Sequence, residues 1–163
     1  MTEFSAATQQ WFDGAFPAPT AAQLGAWQAI AAGEHTLVIA PTGSGKTLSA
    51  FLWAIDRLAA ADPPQSGTSV LYISPLKALA VDVERNLRAP LVGVRQTARR
   101  LGLPAPEISV GVRSGDTPAQ ERRRLQRTPP DILITTPESL FLMLTSAARE
   151  TLRGVHTDRK SVV

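Results

Sequence analysis

The chain contains no cysteine, which excludes disulfide bonds and thiolate metal sites and suits a reducing compartment. Its two histidines, His35 and His156, lie far apart in the sequence and lack the spacing of a metal-ligand pair. No apolar run approaches the roughly 18 residues that a membrane-spanning helix requires. The N-terminus does not combine a basic segment with an apolar one, as a signal peptide would. From these absences we expect a cytoplasmic protein with no membrane partner.

The remaining composition is that of an ordinary globular domain. Hydrophobic residues make up 44% of the 163 positions and charged residues 19%. A chain of this length suits one domain that buries roughly 70% of its unfolded surface. Composition therefore predicts a compact core and leaves the activity to be read from motifs.

The net charge of +3 is modest, but the chain contains one strongly basic zone. Between positions 85 and 127, ten arginines stand against three carboxylates, which gives this zone a charge of +7. The arginines are Arg85, Arg88, Arg95, Arg99, Arg100, Arg113, Arg122, Arg123, Arg124 and Arg127. Such a zone suits a polyanionic partner, through phosphate contacts and counterion release. It also fits a solvated helix face in an arginine-rich proteome, which the ratio of fourteen arginines to three lysines favours.

Residues 40–47 read Ala-Pro-Thr-Gly-Ser-Gly-Lys-Thr, a phosphate-binding loop between a predicted strand (36–40) and a predicted helix (to about residue 60). The glycines allow backbone N–H groups to wrap a phosphate at the start of the helix. Lys46 supplies a charge for the β- and γ-phosphates, and Thr47 a hydroxyl for Mg²⁺. We therefore predict nucleoside triphosphate binding by Thr42, Gly43, Ser44, Gly45, Lys46 and Thr47.

Apolar runs alternate with helical patterns along the rest of the chain. Further strands are predicted at residues 69–73, 107–112 and 131–135, and helices at 6–12, 20–32, 75–101 with a break at Pro90, 117–126, and from 137 onwards. The second helix is expected to begin at an N-cap, Thr20, and to bury Leu24, Trp27, Ile30 and Ala31. The helix at 117–126 carries a capping signature. This alternation predicts an α/β fold with a parallel sheet and helices on both faces.

Ligands of such sheets bind beyond the carboxyl ends of the strands, and three of these ends share one pattern. Residues 74–80 read Ser-Pro-Leu-Lys-Ala-Leu-Ala, residues 115–118 Gly-Asp-Thr-Pro, and residues 135–140 Thr-Thr-Pro-Glu-Ser-Leu. Each combines small or hydroxylated residues, a proline and a new helix N-terminus, where backbone N–H groups suit phosphates.

Taken in order, these motifs resemble those of the first RecA-like domain of superfamily 2 helicases. In their particular residues they are similar to the motifs of the large helicase-related (Lhr) family of bacterial ATP-dependent DNA helicases. Residues 40–47 match motif I of that family, 74–80 motif Ia and 135–140 motif Ib, and residues 19–23 resemble its Q-type motif. The resemblance covers about residues 8–157 and implies a P-loop NTPase fold of the RecA-like type.

The resemblance also implies site residues, cofactors and partners. ATP and Mg²⁺ would be bound by the loop, with Lys46 catalytic, Thr47 at the metal, Gln23 reading adenine and Phe16 packing on the base. Nucleic acid would be contacted by Pro75, Leu76, Lys77, Gly115, Thr136, Pro137 and Glu138. The implied partners are a single-stranded nucleic acid, with DNA ahead of RNA, and a second RecA-like domain of the same polypeptide.

The Asp-Glu pair expected in such a helicase, after an apolar strand that begins near Val155, does not appear. Asp158, Arg159 and Lys160 follow instead, and three consecutive charges do not suit a buried central strand. We therefore expect an N-terminal fragment truncated before the Walker B strand and inactive by itself. Its predicted parts are an arm or short helix at 1–15, an incomplete ATP-binding domain at 16–157 and a non-native tail at 158–163. A different P-loop NTPase and a non-catalytic nucleic-acid-binding module remain as alternatives.

Overall fold

The computed structural model describes residues 3–41, 43–61 and 67–160, without the side chains of Lys77, Arg159 and Lys160. The helices are α1 (Ala6–Ala15), α2 (Ala21–Ala31), α3 (Lys46–Ala60), α4 (Lys77–Arg100), α5 (Ala119–Arg127) and α6 (Pro137–Leu144), with a 3₁₀ turn at Ala147–Leu152. The strands are β1 (Val70–Ile73), β2 (Val110–Arg113), β3 (Ile132–Thr135) and β4 (Thr157–Lys160). The chain divides into a helical unit (Met1–Ala60 and Ala89–Glu107) and a sheet unit (Ala61–Arg88 and Ile108–Val163). Among the described residues, no helix has the length and apolar character needed to cross a bilayer.

The helical unit is built on a cluster of aromatic rings. Trp27 of α2 meets the rings of Phe4 and Phe12 edge to face, with centroids 4.9 and 5.5 Å away. The N-cap of α1, Ser5, donates from its backbone N–H and its hydroxyl to Oδ1 of the buried Asp56, at 3.1 and 2.6 Å. Residues 3–15 thus belong to the same unit as α2 and α3.

Helix α2 begins at the predicted N-cap, but its buried face differs from the predicted one. Gln23, Ala26 and Trp27 are buried, whereas Leu24 is 39% exposed and Ala31 is exposed too. The indole N–H of Trp27 donates to the carbonyl of Ser49 in α3 at 2.7 Å. This buried bond and the aromatic cluster fix the rotation of α2, which apolar spacing alone cannot do.

The strand predicted at residues 36–40 does not form. These residues have no regular structure, and Leu37 and Ile39 are 79% and 86% exposed. A strand requires a neighbour to satisfy its backbone groups, and within the described ranges no strand pairs with this segment. Among the described residues, this β-branched apolar run therefore lacks the backbone hydrogen bonds to a neighbouring strand that would make it a strand.

The sheet unit contains four parallel strands in the order β2-β3-β1-β4. Every residue of β1 and β3 is buried, as in a sheet covered on both faces. The steps from β2 to β3 and from β3 to β4 run the same way across the sheet, so right-handed crossovers place α5 and α6 on the same face. The predicted α/β class with a parallel sheet is confirmed, and one face packs its core through Leu71, Ile73, Leu133, Met143 and Ala148.

Two further helix predictions are corrected. Helix α4 runs without a break through Pro90, because buried residues recur at helical spacing on both sides of it, at Val83, Leu87 and Val94. Helix α5 starts at Ala119, and no side chain of the described residues caps it. The hydroxyl oxygen of Thr117 instead accepts from the N–H of Ser114 at 2.8 Å and closes the turn before the helix.

The charged run after His156 forms a strand, contrary to the prediction that the sheet ends before it. Residues Thr157–Lys160 pair in parallel with Val70–Ile73 at one border of the sheet. An edge strand bonds on one side only, and charged residues are common there because they discourage further pairing. The foreign origin of 158–163 stays a prediction, and residues 161–163 lie outside the described residues.

Candidate nucleotide loop and nucleic-acid edge

The loop before α3 has the backbone of a phosphate-binding loop. Gly43 and Gly45 have φ values of +83° and +77°, in the left-handed region that residues with a Cβ rarely adopt. Lys46 is the first residue of α3 and Thr47 the second, so both lie at the positive end of the helix dipole. Thr42, also predicted in this site, lies outside the described residues.

The side chain of Lys46 is folded onto the loop. Its ammonium group donates to the carbonyl oxygen of Pro41 at 2.8 Å and also contacts that of Ala40. The hydroxyl of Ser44 donates to the same Pro41 oxygen at 2.7 Å. The loop is therefore closed by bonds from Lys46 and Ser44 to its own carbonyl groups.

The first turn of α2 holds this loop from outside. Thr20 and Gln23 form a capping box, in which the N–H of Thr20 donates to Oε1 of Gln23 at 2.9 Å. The hydroxyl of Thr20 donates to the carbonyl of Ser44 at 3.0 Å, and Nε2 of Gln23 donates to that of Gly45 at 3.5 Å. Gln23 is among the residues predicted from the sequence, whereas the contact of Thr20 is not, although its capping box is visible there as Thr-x-x-Gln.

The remaining predicted nucleotide contacts are less defined. Gln23 is only 4% exposed, so its amide is already engaged within the protein. Phe16 is partly exposed and packs on Phe12, with ring centroids 4.8 Å apart. The described residues hold no group of three or more His, Asp or Glu side chains that could bind a metal. Adenine contacts by Gln23 and Phe16, and Mg²⁺ binding at Thr47, stay predictions.

In the sheet unit, the predicted nucleic-acid residues meet at one edge. The register places Ile73 of β1, Thr135 of β3 and Arg113 of β2 side by side. The segments that follow these strands therefore leave the sheet together, and they contain all the predicted nucleic-acid residues: Pro75, Leu76, Lys77, Gly115, Thr136, Pro137 and Glu138. The register therefore brings the predicted residues to one edge of the sheet, and their contact with nucleic acid stays a prediction.

The N-terminus of α6 is a weaker anion site than its sequence implies. Thr136 is only 3% exposed, and its hydroxyl oxygen already accepts from the N–H of Ser139 at 3.4 Å. The N–H of Leu140 donates to the carbonyl of Thr136, and Pro137 has no N–H. Glu138 adds a carboxylate in the first turn. The motif therefore supplies few donors here and brings negative charge.

The start of α4 and two arginines near the turn before α5 offer more positive surroundings. Helix α4 has no acidic residue in its first turn, and Leu76 beside it is exposed. Gly115 is exposed in the turn that precedes α5. Next to this turn, burial lowers the pKa of Arg113 below its ordinary value, and the charge of Arg122 lowers it further. Neither arginine was chosen from the sequence as a site residue.

Comparison with known proteins defines the class. The DEAD/DEAH box helicase family matches residues 20–162, and the chain belongs to this family. It is 71% identical over 157 residues to the "Lhr helicase/ probable uracil glycosylase" of Mycolicibacterium smegmatis and 59% identical over 161 residues to the Escherichia coli "Lhr helicase/uracil glycosylase". Each match covers 94% of this chain, which spans about 10% of the length of those relatives. The predicted resemblance to the Lhr family is thus confirmed.

Solved structures agree with this assignment. The chain is similar to the Mycobacterium smegmatis helicase Lhr bound to ssDNA and AMP-PNP, with a TM-score of 0.92 and 70% identity, over 96% of this chain and 20% of that one. The DEAD-box helicase Mss116, bound to ssRNA and UDP-BeF, has a TM-score of 0.77 and 19% identity over 96% of this chain and 31% of that chain, which shows a shared fold.

Proposed function

We propose that this chain is the ATP-binding and nucleic-acid-binding front part of an ATP-dependent DNA helicase similar to Lhr. The observation that carries the proposal is the loop before α3, with its two left-handed glycines, Gly43 and Gly45, and Lys46 at the helix start. This combination suits a triphosphate. The AMP-PNP of the similar Lhr structure supports the same ligand class.

ATP would replace the internal bonds of the loop. Lys46 would exchange the carbonyls of Ala40 and Pro41 for the β- and γ-phosphates, which are stronger partners because they are charged. The hydroxyl of Thr47, in the first turn of α3, would ligate Mg²⁺, which neutralises phosphate charge when it is bound. Gln23 would reach adenine through the second N–H of its amide, while the first stays on Gly45.

Single-stranded nucleic acid would cross the edge where β1, β2 and β3 end. Backbone phosphates would meet the start of α4 at Lys77 and the exposed turn at Gly115. The nucleic-acid strand would also pass the start of α6, where Thr136 and Glu138 lie. DNA is placed ahead of RNA because the relative at 70% identity is described with ssDNA. Such contacts predict binding that is indifferent to sequence and steeply dependent on salt.

Hydrolysis and unwinding need parts beyond those assigned so far. Phosphoryl transfer relies on positioning and charge, from an acidic pair at Mg²⁺ and an arginine finger. In related NTPases that finger alone is worth roughly 10³–10⁵ in rate. We assign these groups to the rest of the polypeptide, including a second RecA-like domain, and propose a cytoplasmic location for the whole.

The test compares ATP affinity of the parent chain, Lys46→Ala and a control, Lys160→Ala, by isothermal titration. Loss of a charge-assisted contact of roughly 1.5–3 kcal/mol should weaken ATP about tenfold or more in Lys46→Ala only. Equal ATP affinity in all three proteins would refute the nucleotide site and favour a non-catalytic nucleic-acid module. Turnover of ATP by the parent without nucleic acid, abolished in Lys46→Ala, would favour a different P-loop NTPase.

A further inference from the structure

Two arginines meet where β2 ends, and a glycine explains why. A Cβ on Gly111 would lie 2.7 Å from the side chain of Leu125 in α5 and 2.9 Å from Pro130, so only glycine lets α5 pack this closely on β2. Leu125 is buried at this contact. The close approach fixes which side chains of α5 lie above which positions of the strand.

From this contact, both elements carry an arginine towards the same edge. Arg113 is two residues beyond Gly111, so it lies on the same face of the sheet, at the carboxyl end of β2. Arg122 lies one turn before Leu125 and on the same side of α5. Because α5 returns antiparallel to β2, its earlier residues lie towards that carboxyl end. Burial lowers the pKa of Arg113 most, and the charge of Arg122 lowers it further, which agrees with this convergence.

Neither arginine of this pair is neutralised by an ion pair within the described residues. No salt bridge there involves Arg113 or Arg122. The carboxylate in the first turn of α5, Glu121, is held by Arg124 through contacts of 2.7 to 3.1 Å. Two guanidinium groups, one of them half-buried, thus lie near each other at this edge, and neither forms a salt bridge among the described residues. This arrangement favours a bound anion.

We propose that Arg113 and Arg122 together bind a phosphate of the nucleic-acid backbone at this edge, an inference that rests on the function proposed above. The location favours a polymer phosphate, because the pair lies between the exposed turn at Gly115 and the end of β3. The start of α6 cannot supply the positive charge that a phosphate needs, since Glu138 lies there. Planar guanidinium groups match two oxygens of one phosphate.

The test measures binding of a labelled oligothymidylate by fluorescence anisotropy between about 50 and 200 mM salt. We compare the parent with Arg113→Gln, Arg122→Gln and the control Arg127→Gln, which removes an equal exposed charge at the far end of α5. Arg113→Gln and Arg122→Gln should each weaken binding about tenfold at the lowest salt and reduce the salt slope by roughly 0.7. Arg127→Gln should leave the slope unchanged.

Two readouts separate this proposal from a structural role and from failure of the proposed function. Because the arginines repel, Arg122→Gln should keep or raise the melting temperature, whereas a structural role would lower it. If Arg122→Gln binds like Arg127→Gln while Thr136→Val weakens binding, the arginine site is refuted and the edge stands. If the parent binds the oligomer with no salt dependence, the proposed nucleic-acid function fails first.

Discussion

Replacement of Gly45 by alanine tests the nucleotide loop most directly. At φ = +77° an alanine pays the left-handed penalty of roughly 1–2 kcal/mol. Its Cβ would also press on Nε2 of Gln23, which must give up its bond to the carbonyl of Gly45, worth roughly 0.5–1.5 kcal/mol. Together these terms reach about 1.5–3.5 kcal/mol. Because the free loop can relax to escape them and ATP must then restore the strained conformation, they correspond to a loss of ATP affinity of at most roughly 10- to 400-fold.

The matched control is Gly25→Ala in α2. Gly25 lies in a helix, and an added Cβ would have no atom within 4 Å. Alanine there should stabilise the protein by about 0.5–1 kcal/mol through helix propensity and leave ATP binding unchanged. Isothermal titration gives the affinities and urea denaturation the free energies of unfolding.

Adding Gln23→Ala to Gly45→Ala separates the two terms. Gln23→Ala removes the amide that the new Cβ crowds, so in the double variant Gly45→Ala should no longer add a steric cost. The cost of the left-handed backbone conformation should persist. Parent-like ATP affinity in Gly45→Ala, in a folded protein, would show that the loop does not bind phosphate in this conformation. The reasoning from φ and from Gln23 would then be refuted.

Three further changes test the packing. Gly93→Ala drives a Cβ into the indole of Trp11, which should cost about 1–3 kcal/mol in urea denaturation despite better helix propensity. Asp56→Ala leaves two donors of Ser5 without their buried acceptor and should cost about 2–3 kcal/mol; an unchanged unfolding midpoint would contradict the cap. Thr136→Val removes the N-cap of α6 and should lower the free energy of unfolding by about 1 kcal/mol, measured as a lower melting temperature. An unchanged melting temperature would show that the capping bond does not stabilise the protein.

Local signals in the sequence predicted the backbone structure around the loop before α3. The capping box at Thr20 and the helix that starts at Lys46 are determined by residues within one turn of each other, so they can be read without a fold. The strand predicted over 36–40 failed because a strand depends on a neighbour elsewhere in the chain. Leu37 and Ile39 have the right residue types but no paired strand among the described residues.

The arginine pair could not be predicted for a related reason. Arg113 and Arg122 meet because α5 packs tightly on Gly111, a contact between elements that periodicity does not reveal. The available signal was a glycine inside an apolar strand, which indicates a close approach of another segment. At Thr136 the sequence placed the residue correctly at the helix start, but its burial and its bond to Ser139 became visible only in the structure.

The attachment of the α2 cap to the loop makes the two parts thermodynamically linked. Thr20 and Gln23 close the first turn of the helix with the same side chains that contact the carbonyls of Ser44 and Gly45. By reciprocity, a ligand that orders the loop must strengthen this turn to the same extent that the turn favours the ligand. The amide hydrogens of Thr20 and Gln23 should therefore exchange more slowly with solvent when ATP is bound, and so report loop occupancy from outside the loop.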